Sequence, residues 1–303
     1  MRVFVTGASG WVGSAVVPEL IDAGHHVVGL ARSDASAQAL ESAGAEVRRG
    51  SLEDIDSLRA GAADSDGVIH LAFIHDFNNY DDANQTDRHA IEAMGAVLEG
   101  SHRPLVIASG VATTAVGRPA REDDPPAPEF PRSEASTITV GLAARGVRSA
   151  VVRLPPTVHG RGDEGFIKML IEIARQTGVS GYVGDGSNRW PAVHRSDAAR
   201  VFHLALEQAR AGAVYHAVGE EGVVTRAIAD TIGRHLNVPV EPVPAEDAMS
   251  HFGWIGLIWA VDVPTASAWT RAQLGWNPTG VSLLDDLEAG HYFDDPTVPG
   301  AGT

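Results

Sequence analysis

A chain of 303 residues can bury a full core, either as one large domain or as a domain with a smaller lobe. Its composition is globular, 44% hydrophobic and 20% charged, and its formal charge of -16 repels phosphate polyanions. Neither nucleic acid nor membrane is therefore expected as a partner, and an anion needs a local device to hold it. Cysteine is absent, which excludes disulfides, thiolate nucleophiles and Cys-ligated zinc. The first residues read as a strand rather than a leader, and no apolar run reaches membrane-spanning length, so a cytoplasmic location is expected.

Short β-rich runs alternate with helical patterns through the first half of the chain. Strands are expected at Val3–Val5, Val27–Leu30, Glu46–Arg48, Val68–Leu71, Leu105–Ala108 and Ala150–Leu154. Helices are expected between them, at Trp11–Ala23, Ala35–Ala43, Leu52–Ala60, Asp82–Leu98 and Ser133–Arg145. The alternation implies parallel βαβ units, and the nearly unbroken apolar strands imply a sheet covered on both faces. Gly117–Pro131, rich in proline and acids, reads as a loop. Past Leu154 the pattern loosens: helices at Phe166–Gln176 and Asp197–Gln208, a strand at Ala213–Val218, then shorter elements and a loose tail after Phe293. The expected fold is α/β, a Rossmann doubly wound parallel sheet with a smaller C-terminal substrate lobe. Residues 1–158 and 187–218 are assigned to the dinucleotide domain, and 159–186 and 219–303 to the lobe.

Gly7-Ala8-Ser9-Gly10-Trp11-Val12-Gly13 directly follows a strand and opens a helix. Glycines there allow a tight turn and close approach of backbone to ligand, and a pyrophosphate can bond the free N–H groups at the helix's positive end. Gly7, Ser9, Gly10, Trp11, Val12 and Gly13 are the expected phosphate-binding residues. After the second strand, where a carboxylate selects NAD(H), the chain has Ala31-Arg32-Ser33. Arg32 suits a 2′-phosphate with Ser33 as a further donor, so NADP(H) is expected over NAD(H); Asp34 reads as a helix N-cap. Ser51 and Leu52 are candidates to line the adenine. Leu71 and Ala72, ending the fourth strand, are candidates to run beside the dinucleotide. His70 reads as a satisfied strand-end histidine.

Three blocks in order carry a family resemblance: Thr6–Gly13, Val151–Gly160 and Ala192–Ala199. Together they resemble the extended and atypical short-chain dehydrogenase/reductases, which include the NAD-dependent epimerase/dehydratase family. The resemblance implies that Pro155 and Val158 approach the nicotinamide. It also implies a Ser/Thr after the fifth strand, met here by Ser109 or Thr113, and a Tyr-x-x-x-Lys on the next helix. The latter is missing: the only lysine is Lys168, and Glu164 stands four positions before it. Arg132 can supply the positive charge but cannot titrate usefully. His159 and His194 can titrate near neutrality, and His194 is the candidate acid.

Phe73, His75, Phe77, Trp190, Phe252, Trp254 and Trp259 can wall an apolar pocket or fill the lobe's core, the core being favoured for Trp259 and Trp269. No metal site is expected from ligand spacing. The resulting expectation is an NADP(H)-dependent oxidoreductase, monomeric or homodimeric, acting on a small or medium carbonyl or alcohol. Its catalytic residues would be Ser109, Thr113, Arg132 and His194. The alternatives are a sugar-nucleotide epimerase/dehydratase and a non-catalytic NADP(H)-binding sensor.

Overall fold

The computed structural model describes residues 1–74, 80–112, 115, 117–128, 130 and 132–294. They fall into two compact units. The larger is drawn from Met1–Pro155, Arg195–Val218 and Thr265–Thr279, the smaller from Pro156–His194, Gly219–Pro264 and Gly280–Thr303.

The larger unit is built on seven parallel strands: β1 (Arg2–Thr6), β2 (His26–Ala31), β3 (Glu46–Arg49), β4 (Gly67–His70), β5 (Pro104–Gly110), β6 (Arg148–Leu154) and β10 (Ala213–His216). They lie in the order β10-β6-β5-β4-β1-β2-β3, every adjacent pair parallel, which is the doubly wound arrangement. Order reverses between β1 and β4, where such sheets place a ligand at the C-terminal strand ends. The connecting helices are α1 (Gly13–Asp22), α2 (Asp34–Ser42), α3 (Ile55–Ala63), α4 (Tyr80–Leu98), α5 (Ser133–Gly141) and α7 (Arg195–Gln208). Phe4, Val28, Leu58, Val68, Ile91, Met94, Leu105 and Val151 form one continuous buried cluster between sheet and helices. Burial of this kind contributes roughly 1.5–3 kcal/mol per large side chain.

Several helix boundaries differ from the sequence reading for local reasons. α1 starts at Gly13, because Gly7–Val12 is consumed by the turn. α2 is capped by Ser33, whose hydroxyl accepts from Ser36 N while Ser36 bonds back to Ser33 N, so Asp34 is the first helical residue and not the cap. α3 starts three residues later than expected, at Ile55, where Asp54 Oδ1 accepts from Ser57 N at 3.0 Å. The fifth helix ends at Gly141 and tightens into a 3₁₀ turn over Leu142–Arg145, closed by Gly146 at φ 74°.

The smaller unit contains β7 (Thr157–His159), β8 (Ser180–Val183), β9 (Arg189–His194), β11 (Glu220–Val224) and β12 (Val240–Val243). Its helices are α6 (Phe166–Thr177), α8 (Thr225–Leu236), α9 (Ala248–Phe252), α10 (Ile255–Trp259) and α12 (Leu283–Glu288). Because β9 pairs with both β11 and β7, residues 187–194 pack here rather than with the large sheet as the sequence reading placed them. Residues 265–279 move the other way, as helix α11 (Ala268–Leu274) belongs to the larger unit. Trp190 and Trp259 are core: both are enclosed and meet edge to face with centroids 4.7 Å apart, and Phe252 is buried in the same cluster. Trp269 is not lobe core; it is partly exposed in the larger unit and stacks on Tyr215. His75 and Phe77 lie outside the described residues.

Candidate functional site

The glycine turn joins β1 to α1 at the switch point. Gly7 takes φ 66°, and a Cβ there would lie 2.5 Å from Ala72 N. A Cβ on Gly13 would lie 2.1 Å from Gly7 O, so both positions demand glycine. Gly10 N donates to Gly7 O at 2.9 Å, and Ser14 N to Gly10 O at 2.8 Å. Ser9 and Gly10 are exposed at the mouth of the turn. No side chain caps α1 and no acid stands in its first turn. An open backbone cradle at a helix start, free of carboxylates, fits a pyrophosphate. Trp11 packs under the Arg195 guanidinium at 4.2 Å, and Leu71 N and Ala72 N bond Thr6 O and Thr6 Oγ1 at 3.1 and 3.3 Å, fixing the β4 exit against the turn.

Beyond β2, Ala31, Arg32, Arg49, Gly50, Ser51 and Asp54 line an open surface pocket of about 430 Å³. Arg32 and Ser51 are thus brought to one pocket. Arg49 is a second guanidinium the sequence reading missed; it holds Asp34 at 2.7 Å. Ser33 is not one of the lining residues, since its hydroxyl serves the α2 cap, and Leu52 is 8% exposed within the sheet's core cluster.

A buried polar chain leads from the turn to α5. Thr6 Oγ1 lies 2.7 Å from His70 Nδ1, His70 Nε2 lies 3.0 Å from Asp87 Oδ1, and Arg132 donates through Nη2 and Nε to the two Asp87 oxygens at 3.1 and 3.2 Å. Burial would raise the Asp87 carboxyl, but the Arg132 charge and the His70 bond outweigh it and hold it below its usual range. An ionised Asp87 accepts a hydrogen bond from His70 Nε2–H, which leaves Nδ1 to accept from the Thr6 hydroxyl. The Arg132 guanidinium also sits 4.7 Å from the Phe73 ring centre. His70 is therefore a satisfied strand-end histidine, as read from the sequence. Asp87 was missed although a signal existed: it lies on the α4 stripe of Ala83, Ala90, Ile91 and Met94, all buried, where an acid needs a partner.

Ser109, at the end of β5, is 6% exposed, and its hydroxyl contacts Ser136 Oγ at 2.9 Å; Ser136 Oγ also donates to Arg132 O at 3.1 Å. Arg132 and Ser136 thus stand four positions apart at the start of α5. Thr113 lies outside the described residues. Pro155 closes the larger unit, whereas Val158 and His194 belong to the smaller one, on β7 and β9.

In the smaller unit His194 packs edge to face on His159, centroids 5.4 Å apart. His159 Nδ1 bonds Asp286 Oδ2 at 2.9 Å, and His291 Nε2 bonds Asp286 Oδ1 at 2.8 Å. Burial pushes the Asp286 carboxyl up, and these two imidazoles bring it below its usual range. Tyr292 donates to Asp163 at 2.9 Å and accepts from Gly160 N at 3.2 Å; burial raises both the Asp163 carboxyl and the Tyr292 phenol.

Sheet order, glycine turn and open helix start define a Rossmann protein of the NAD-binding kind. Residues 3–219 match the NAD dependent epimerase/dehydratase family, and the chain belongs to that family. It is 48% identical over 295 residues, 97% of this chain and 100% of its relative, to an uncharacterized protein of Schizosaccharomyces pombe. It is 28% identical over 287 residues to a 4-hydroxy-2-methyl-3-oxo-4-farnesyl-3,4-dihydroquinoline-1-oxide ketoreductase of Stigmatella aurantiaca, covering 88% of this chain and 84% of that one. A dTDP-glucose 4,6-dehydratase of Streptomyces venezuelae, solved with NAD, superposes with a TM-score of 0.76 over 97% of each chain at 19% identity, a likeness of fold.

Proposed function

We propose that the protein is an NADP(H)-dependent oxidoreductase that interconverts a small or medium carbonyl compound and its alcohol. When bound, the nicotinamide supplies the hydride chemistry. The backbone of Gly7–Gly13 holds the pyrophosphate, and Arg32 and Arg49, with Ser51, hold a 2′-phosphate in the pocket beside β2. Pro155 and Val158 are assigned to the nicotinamide end. Ser109 donates to the substrate oxygen, and Arg132 stabilises the negative charge that grows there. The observation that carries this reading is Arg132 itself, 11% exposed and oriented by a carboxylate that is 1% exposed, at the head of α5. A guanidinium so fixed needs no reorganisation as charge develops. Because arginine stays protonated, the proton comes from another group, and His194 is assigned that role.

Calorimetry of NADPH and NADH tests the cofactor assignment. NADPH is expected to bind more tightly by about 10–100-fold, a difference of roughly 1.4–2.7 kcal/mol that Arg32→Ala largely erases. Equal affinities in the unsubstituted protein overturn it. Turnover of a ketone and aldehyde panel tests the activity: Arg132→Leu is expected to lower kcat by about 10²-fold or more with NADPH binding intact. A protein that binds NADPH and turns over no carbonyl removes the enzyme reading. His194→Asn is expected to delete a pH limb near neutrality, and an unchanged profile strikes His194 from the mechanism.

A further inference from the structure

We propose that His25, His203 and Glu207 form a binding site for a divalent transition ion of the zinc class. His203 and Glu207 are one helical turn apart on α7, and His25 lies on the turn from α1 into β2, 182 positions from Glu207. Sequence spacing therefore shows only two of the three ligands. His25 Nε2 is 3.1 Å from Glu207 Oε1 and His203 Nε2 is 3.6 Å from Glu207 Oε2; all three donors lie within 4.8 Å of one another. A tetrahedral ion with bonds near 2.0–2.2 Å requires ligand-to-ligand edges of about 3.3–3.5 Å, so small side-chain shifts complete the set.

A second, independent feature points the same way. The remaining ring nitrogen of His203, Nδ1, bonds Glu19 Oε1 on α1 at 2.8 Å. Donation from Nδ1 to a carboxylate fixes the tautomer that leaves the Nε2 lone pair facing His25 and Glu207, the support that metal-ligating histidines ordinarily have. His25 Nδ1 lies 3.2 Å from the Met1 amino nitrogen. A metal at His25 Nε2 displaces the proton that this nitrogen otherwise shares with Glu207. Two neutral imidazoles and one carboxylate suit zinc, cobalt or nickel better than calcium or magnesium, which prefer all-oxygen shells. The His25 and His203 side chains are 6% and 15% exposed and that of Glu207 is 38% exposed, which leaves the fourth position to water. The cluster sits at the N-terminal end of β2, at the opposite end of that strand from Arg32, so the ion braces α1 against α7 and takes no part in turnover.

The test is titration of tag-free full-length protein with Co²⁺, followed by its visible absorption, and then with Zn²⁺ as competitor. One equivalent is expected to bind with the spectrum of a four-coordinate ion, to be displaced by Zn²⁺, and to raise the melting temperature. His203→Gln and Glu207→Gln are each expected to weaken binding by tenfold or more, and Glu19→Gln, which touches no metal, by about tenfold. Glu207 is partly exposed, so its variant keeps the fold and isolates the ligand. Failure to saturate, or uptake indifferent to Glu207→Gln, overturns the proposal.

Discussion

Each unit carries a buried histidine–carboxylate network, and the two are built to opposite ends. In the larger unit the chain Thr6–His70–Asp87–Arg132 runs from the glycine turn to α5 and terminates on a permanent cation. In the smaller unit Asp286 lies between two imidazoles, and Tyr292 ties Asp163 to the Gly160 backbone, with no guanidinium in these bonds. Similar groups thus give an oriented charge in one case and a fastening between the 159–163 segment and the C-terminal segment in the other. A network has mechanistic content when one end is left to act on something else.

Substitutions can break or sharpen that contrast. The largest effect is expected from Asp87→Ala, which strands the Arg132 charge in a buried setting: about 3–5 kcal/mol of stability lost in denaturant melts. Asp87→Asn keeps the shape and is expected to cost activity more than stability, a split read from turnover against melting temperature. Asp286→Ala is expected to cost about 1–3 kcal/mol by leaving His159 and His291 without an acceptor, with kcat in the surviving folded protein falling less than in Asp87→Asn. An equal fall in kcat there would erase the distinction between the two networks. Thr6→Val, which removes one hydroxyl from the first network, is expected to cost about 1 kcal/mol. Acid provides a final check. Both carboxyls are lower in the folded protein than in the unfolded chain, so their contribution is complete above about pH 4 and disappears as pH falls through their folded values. The stability gap between the unsubstituted protein and Asp87→Asn is accordingly expected to narrow below that pH.

The sheet and the turn were legible because both are local. Strand–helix alternation, the glycine spacing and the boundary at Val68–Leu71 each depend on neighbours within a few positions. Asp87 was not, because its partners lie 17 and 45 positions away and only folding brings them together. Its one local trace was an acid on an apolar stripe. Ser33 and Asp34 are both capping residue types, and only the folded chain shows that Ser33 is the cap of α2. In the second half the strands are three to six residues long and their pairings cross the sequence, so periodicity had too little length to register. Trp190 and Trp259 declared an apolar interior, but not which aromatic would meet which.

The outer margin of the sheet has a bearing on how the chain behaves in a crowd. Among the described residues β3 has a partner on one side only, and its four residues are Glu46, Val47, Arg48 and Arg49. Glu46 is gripped by Arg2 and His26, which hold its carboxyl down to about 2, while Arg48 and Arg49 pair with Asp64 and Asp34. A short border studded with engaged charges offers no template for another molecule's strand, and it keeps that character well into acid. Fibrillar stacking along this border is shut off by the same side chains that neutralise one another on it.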